Sequence, residues 1–447
     1  MKKTDQYDRM INTPVSKLIL SLSVPTVISM MVTNIYNLVD TAFVGRLGTS
    51  ASGAVGIVFG FMSILQAIGF MFGQGCGSII ARRLGEKDDD SASRTASTGF
   101  FYSFFFGLVA TILCLIFLDP MVIALGSTET IAPFAKEYVF YLLLTAPFMV
   151  STFTLNNILR YEGKAYLGMI GLMAGAVLNI GGDMLFMFVF NMGIKGAGLS
   201  TAISQVVSFM ILLSEFVRGR SECKLSLGLV SLKPVYLFDI CTTGLPSLLR
   251  QGLSSITTIV LNMEASVYGD AAVAAMSIVS RIFFFIFAVA IGIGQGFQPV
   301  SGYNYGAKRF DRVKEGYRFT MFFSELLMLI LGTIVFIKAD YFVQLLRNDP
   351  EVILIGTRAL RLHCLGMVVL PFCMATEMLM QSTGQRLFAS ILSALRGGLI
   401  FVPVLILLAR FRGLQGIQEA QPLSFLIACI PSWFFGYNFF KRINSEQ

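Results

Sequence analysis

Long apolar runs broken by short polar turns repeat along the whole chain, at about 17–44, 51–82, 94–118, 134–160, 164–190, 196–217, 235–266, 271–303, 312–337, 350–382, 385–409 and 414–440. A run of roughly 20 apolar residues crosses the bilayer core as a helix, whereas a membrane β-barrel needs short alternating segments that this chain lacks. Turn-formers such as Gly48-Thr49-Ser50 and Tyr268-Gly269-Asp270 separate the runs, and Arg218 to Pro234 is the longest polar connection. The pattern predicts an all-α polytopic membrane protein with twelve transmembrane helices. It divides into a tail (1–16), a first six-helix bundle (17–217), a linker (218–234), a second six-helix bundle (235–440) and a second tail (441–447).

The two bundles are copies of one another. A shift of 221 residues carries Pro25 to Pro246, Gly48 to Gly269, Ala51 to Ala272 and Gly73-Gln74-Gly75 to Gly294-Gln295-Gly296. It also carries Lys87 to Lys308, Asp119 to Asp340 and Gly163 to Gly384. The shift contains an even number of spans, so the copies share one orientation and are related by a pseudo-twofold axis along the membrane normal. A substrate path is expected between them. Pro25 and Pro246 each remove a backbone hydrogen bond in the first helix of a bundle, which makes both hinge candidates, with a passive kink as the alternative.

Composition agrees with the pattern: 55% of residues are hydrophobic and 13% charged, against about 25% charged in soluble domains. The net charge of +8 could suggest nucleic acid, but the basic residues alternate loop by loop. With both termini inside, the cytoplasmic segments hold more than twice the Lys and Arg of the outer loops. No nucleic-acid partner is expected, and both termini are expected in the cytoplasm. Only Arg250 and Arg281 are taken to lie within spans. The polar stretch Met1 to Ser16 has no signal-peptide pattern. Seven scattered cysteines and a single histidine, His363, give neither a disulfide framework nor a zinc motif.

Four pieces carry a family resemblance: Asn37-Leu38-Val39-Asp40-Thr41-Ala42-Phe43-Val44-Gly45, Arg160-Tyr161-Glu162-Gly163, Leu178-Asn179-Ile180-Gly181-Gly182-Asp183 and Gly196-Ala197-Gly198-Leu199-Ser200-Thr201-Ala202. Their order and the repeat make the chain resemble the MATE (multidrug and toxin extrusion) family, in its bacterial MepA-like branch. The resemblance implies a V-shaped pair of six-helix bundles in the bacterial cytoplasmic (inner) membrane, working as a monomer by alternating access. It implies antiport of small organic cations, drugs and dyes against protons or sodium, with no cofactor beyond the coupling ion.

Asp40 lies near the outer end of the first helix and Asp183 near that of the fifth, at a similar depth, and Asn179 precedes Asp183 by one helical turn on the same face. An intramembrane carboxylate is costly when ionised and unpaired, so such a site holds a proton or a small cation. The resemblance places the family's cation site on the matching residues Asp40, Asn179 and Asp183, with Na+ as the metal they could hold. An Asp that merely caps an interfacial helix end is the alternative.

Glu162 is expected in a solvated cytoplasmic turn, with a structural or gating role and direct substrate contact as the alternative. Glu264 and Arg281 are candidates for an ion pair between consecutive helices that acts as an outer gate or a fixed tie. Arg250, Glu325 and Glu377 have no partner assignable from the sequence. Tyr36, Asn37 and Met263 are substrate or gating candidates, and Met30, Met31, Met149, Phe153 and Phe283 could line an adaptable cavity. The sodium-coupled branch that includes Vibrio transporters uses acidic residues of the second half, and this chain has none at the matching places. Coupling through the first half is therefore expected. A lipid-linked oligosaccharide or lipid flippase is the alternative function. An enzyme is not expected, because the chain has no HExxH and no nucleotide-binding loop.

Overall fold

The computed structural model describes residues 3–445. Those residues are helical almost throughout, with no strand among them. A short α1 (Lys3–Asn12) precedes α2 (Val15–Gly45), α3 (Thr49–Gly85), α4 (Asp89–Ile116), the short α5 (Leu118–Ala124), α6 (Ala132–Tyr161), α7 (Ala165–Asp183) and α8 (Ile194–Val217). After the 218–233 linker come α9 (Pro234–Ser266), α10 (Asp270–Gly306), α11 (Phe310–Ile337), the short α12 (Ala339–Leu346), α13 (Pro350–Met367), α14 (Leu370–Ser382), α15 (Arg386–Ala394), α16 (Phe401–Arg412) and α17 (Leu414–Ser445).

The repeat governs the helix boundaries. Thr49–Gly85 and Asp270–Gly306 start and stop 221 residues apart, as do Asp89–Ile116 and Phe310–Ile337. The turns between them match as well: Gly48 and Gly269 have φ of 118° and 92°, and Lys87 and Lys308 have φ of 62° and 57°. In the first copy Asp88 caps α4 by accepting from the Ser91 amide at 3.0 Å.

Among the described residues ten helices are long and apolar enough to cross a membrane, and α13 with α14 makes an eleventh, bent by 49°. The remaining expected span is present as α9, with 33 residues. Its apolarity is interrupted by Asp239, Arg250, Gln251 and Glu264, so hydropathy alone under-reports it. The bend has a local cause, because Pro371 in the first turn of α14 has no amide to continue the helix from α13. Its counterpart α6 runs unbroken through Pro147.

Two compact units are present. The first comprises Met1–Ile11 and Ile28–Leu248, and the second Asn12–Val27 and Leu249–Gln447. Each of α2 and α9 is therefore divided between units, and the divisions follow Pro25 and Pro246 by two or three residues. The core of the first unit is built by Val44, Ala51, Ala54, Val58, Tyr138, Leu142 and Ala146 among others, and that of the second by Ala272, Ala275, Met276, Met328, Leu360 and Met378 among others. Small residues at these positions let helix backbones approach closely, as expected where lipid removes most of the hydrophobic drive between helices.

Within the first unit, α1 packs under the turn after α6. Gly163, with φ of 84°, has Gln6 and Met10 so close that an added Cβ would lie 2.5 Å from Gln6 Nε2. Gln6 Nε2 in turn donates to the Glu162 carbonyl at 2.7 Å.

Candidate functional site: a buried carboxylate pair in the first unit

Asp40, on the last turns of α2, and Asp183, the last residue of α7, are buried side by side within electrostatic reach of each other. The helix continues past Asp183 as a π turn over Met184–Val189, a local widening that often occurs at functional positions. Gly182 allows α8 to come in beside it, since a Cβ there would meet Ser200 Oγ at 2.5 Å.

Three helices supply the surrounding polar groups. Tyr138 Oη on α6 donates to Asp40 Oδ2 at 3.4 Å, long for an O–H···O bond. Asn179 Nδ2 donates to Thr201 Oγ1 at 3.1 Å, and Ser200 Oγ donates to the Asn179 carbonyl at 2.8 Å. Both carboxylate oxygens of Asp183, Oδ1 of Asp40 and Oδ1 of Asn179 are buried without a hydrogen-bond partner, although Ser200 lies alongside Asp183. Leaving buried acceptors without donors costs about 1–3 kcal/mol each, and more when they are charged. A proton or a small hard cation relieves that cost, and an all-oxygen donor set suits Na+ rather than a soft metal.

Of the other residues singled out in the sequence, Tyr36 is half-buried one turn before Asp40 and within its electrostatic reach. Asn37 is partly buried, and its carbonyl accepts from Thr41 Oγ1 at 2.8 Å. Met263 is exposed on α9. Met149 and Phe283 are buried core residues and Phe153 packs against the core, so these three are packing groups. Phe283 stacks on Phe287 and Phe425. Pro25 and Pro246 both lie inside helices.

Three expectations are corrected. Glu264 and Arg281 form no ion pair, and the Arg281 side chain is exposed. Glu162 is not solvated: it is fully buried and accepts from Ser221 Oγ at 2.7 Å and from the Glu222 and Cys223 amides at 2.9 and 3.0 Å. Burial raises its pKa above the ordinary value, against the pull of those donors. Lys164 anchors the same stretch of linker through the Glu222 carboxylate and the Arg220 carbonyl, so Glu162 fastens the linker and α1 to the first unit. Arg396 lies within a span in addition to the expected Arg250 and Arg281, inside the apolar helical stretch Arg386–Arg412.

Arg396 completes a cluster whose other two members, Arg250 and Glu377, stand out in the sequence without assignable partners. In the second unit Glu377 of α14 is completely buried between two arginines. Arg250 Nη1 donates to its Oε1 at 2.8 Å, and Arg396 Nη2 and Nε donate to its Oε2 at 2.7 and 3.1 Å. The three residues are separated by 127 and 19 positions, and Arg396 lies in a second π turn, Leu395–Leu399. In the carboxylate pair of the first unit, the neighbours missed from sequence are Tyr138 and the hydroxyls of Ser200 and Thr201. The hydroxyls lie inside one of the quoted motifs, whereas nothing marked Tyr138.

A repeated multi-helix membrane architecture with a buried, donor-poor carboxylate pair defines a polytopic membrane transport protein. The chain belongs to the MatE family, whose profile matches residues 25–185 and again 246–407. The second match begins 221 residues after the first, as the internal repeat requires. The multidrug export protein MepA of Staphylococcus aureus (strain MSSA476) is 27% identical over 416 residues, which cover 93% of this chain and 92% of MepA. MepA of Staphylococcus saprophyticus is 27% identical over 97% of this chain and 96% of its own. A crystal structure of MATE in complex with MaL6 superposes with a TM-score of 0.93 at 26% identity, covering 98% of this chain and 99% of that one. An outward-facing multidrug resistance MATE family transporter of the MOP superfamily superposes at 0.91 and 27% identity, over 98% of both chains.

Proposed function

We propose that this chain is a multidrug efflux transporter of the cytoplasmic membrane that exports small organic cations, drugs and dyes, and that the coupling ion binds at Asp40, Asn179 and Asp183. Family membership and full-length similarity to multidrug export proteins support the efflux reading. One observation carries the coupling assignment: two buried carboxylates lie together, with both oxygens of Asp183 and one of Asp40 outside any hydrogen bond of normal geometry and the Ser200 hydroxyl as the neighbour of Asp183. Such a pair cannot hold two negative charges in the bilayer without a proton or cation between them. Binding there favours one conformation of the transporter, and release favours another, which is the differential affinity that coupled exchange needs. Both termini lie in the cytoplasm, as the charge of the loops indicates. The division of α2 and α9 beside Pro25 and Pro246 supports hinges at those prolines. The flippase alternative needs basic groups open to an anionic lipid, whereas Arg250 and Arg396 are engaged by Glu377.

The test is transport by the purified chain in lipid vesicles carrying an imposed proton or sodium gradient, with a panel of organic cations and neutral dyes. Accumulation of cations driven by one of the two gradients is expected. Equal movement with no ion gradient would overturn the antiport reading, and movement of neutral dyes alone would overturn the cation preference.

A further inference from the structure

The second unit contains one pair of sulfurs in contact. Cys373 on α14 and Cys429 on α17 are 56 residues apart, and their Sγ atoms are 3.4 Å from each other. Among the described residues no other two cysteine sulfurs are within hydrogen-bond distance. A disulfide needs about 2.0 Å, so the sulfurs must close by about 1.4 Å, within the reach of χ1 rotation and small helix shifts. Cys373 is buried. Cys429 is partly exposed and belongs to a face of α17 shared with Leu426, Ile430 and Trp433, all exposed and apolar. That face is suited to lipid, so an oxidant dissolved in the bilayer reaches Cys429 while one confined to water does not. Glu325 of α11 is within electrostatic reach of Cys429, and Arg396 and Glu377 are within reach of Cys373. Cys373 also precedes Glu377 by one helical turn on the same face of α14, which places the thiols beside the buried ion triad.

We propose that Cys373 and Cys429 form a reversible intramolecular disulfide, made by a lipid-soluble two-electron oxidant of the quinone class, which ties α17 to α14 next to the Arg250–Glu377–Arg396 triad. In this step the two S–H bonds break and one S–S bond forms. The electron pair passes to the quinone, its two oxygens take the two thiol protons, and hydroquinone leaves. Juxtaposed sulfurs supply the orientation that makes the intramolecular reaction outrun encounter with a free thiol. A dithiol reductant reverses the step.

The experiment uses the full chain in lipid vesicles, reduced and then treated with decylubiquinone in the lipid, followed by alkylation of free thiols under denaturing conditions and peptide mass mapping. Two of the seven cysteines are expected to escape alkylation and to appear as one linked peptide pair containing Cys373 and Cys429. Dithiothreitol restores alkylation of both. Protection is lost in C373S and in C429S and kept in C114S, which serves as the control for folding and handling. Alkylation of all seven cysteines after quinone treatment, or protection that persists in C373S, would overturn the proposal. This chemical readout stands whether or not the chain exports cations, so it fails separately from the efflux reading. In the transport assay the linked protein is expected to run at least about fivefold slower than the reduced protein, and an undiminished rate would overturn the tie between the helices.

Discussion

The two units bury acidic groups in opposite ways. In the first, Asp40 and Asp183 lie together with several oxygens that no donor satisfies. In the second, Glu377 is enclosed by two arginines that satisfy both of its oxygens. The repeat makes the contrast sharp, because it does not carry the chemistry with it. At a shift of 221, Asp40, Asn179 and Asp183 fall on Leu261, Ile400 and Val404, while Arg250, Glu377 and Arg396 fall on Ser29, Asn156 and Gly175. A donor-poor carboxylate pair can exchange a proton or cation during a cycle. A carboxylate already neutralised by guanidinium groups serves to position helices, here α9, α14 and the π turn at 395–399.

The largest expected effect is on the second unit. Glu377→Gln leaves two buried guanidinium groups without their anion and should cost about 3–5 kcal/mol, seen as a large fall in thermal midpoint and in folded yield. Replacing the triad together, R250M with E377L and R396M, should recover the folded protein and keep efflux within about threefold of the natural chain, since apolar groups can substitute for a buried ion cluster. Persistent loss of efflux in a folded triple variant would move the triad from scaffold to coupling machinery and remove the contrast.

In the first unit, Asp183→Asn should leave folding intact and reduce gradient-driven dye efflux to background, about a hundredfold or more, with Asp40→Asn behaving alike. Undiminished efflux in either variant would break the assignment.

A smaller effect tests the linker. Because the Glu162 pKa is raised above its ordinary 4.5, the folded chain holds this proton more tightly than the unfolded chain. The resulting stabilisation is fully present below pH about 4.5 and is lost as pH rises through the raised value. Glu162→Gln should flatten that part of the thermal midpoint against pH, and should open residues 218–233 to added protease. An unchanged pH profile would mean that Glu162 is already ionised in the folded chain at low pH. Smallest is Tyr138→Phe, which removes one long hydrogen bond to Asp40 and should weaken apparent ion affinity about two- to threefold.

How far these features can be read in the sequence follows from the range of the interactions that make them. Apolar runs and a constant repeat are local or periodic signals, so the spans and the doubled architecture are legible, and the Gly48/Gly269 and Lys87/Lys308 turns reproduce the shift in their backbone angles. The span α9 is legible by its place in the repeat more than by its hydropathy, because Arg250 interrupts it for a partner that lies 127 residues away. Asp40 and Asp183 stand out because a carboxylate in an apolar run is conspicuous on its own. Glu377 is just as conspicuous, but its meaning depends on two arginines that lie on other helices, 127 and 19 positions away. Glu162 misleads for the same reason: a short polar turn looks solvated until the linker, some sixty residues on, closes over it.

The most direct test of the account is ion binding by the purified chain, read with labelled Na+ and with a pH electrode in unbuffered detergent solution. The natural chain and the R250M/E377L/R396M variant are expected to bind Na+ or exchange protons alike, and the Asp40→Asn/Asp183→Asn double variant to do neither. Binding that survives in the double variant, or that disappears with the triad, would contradict the placement of the coupling ion in the first unit.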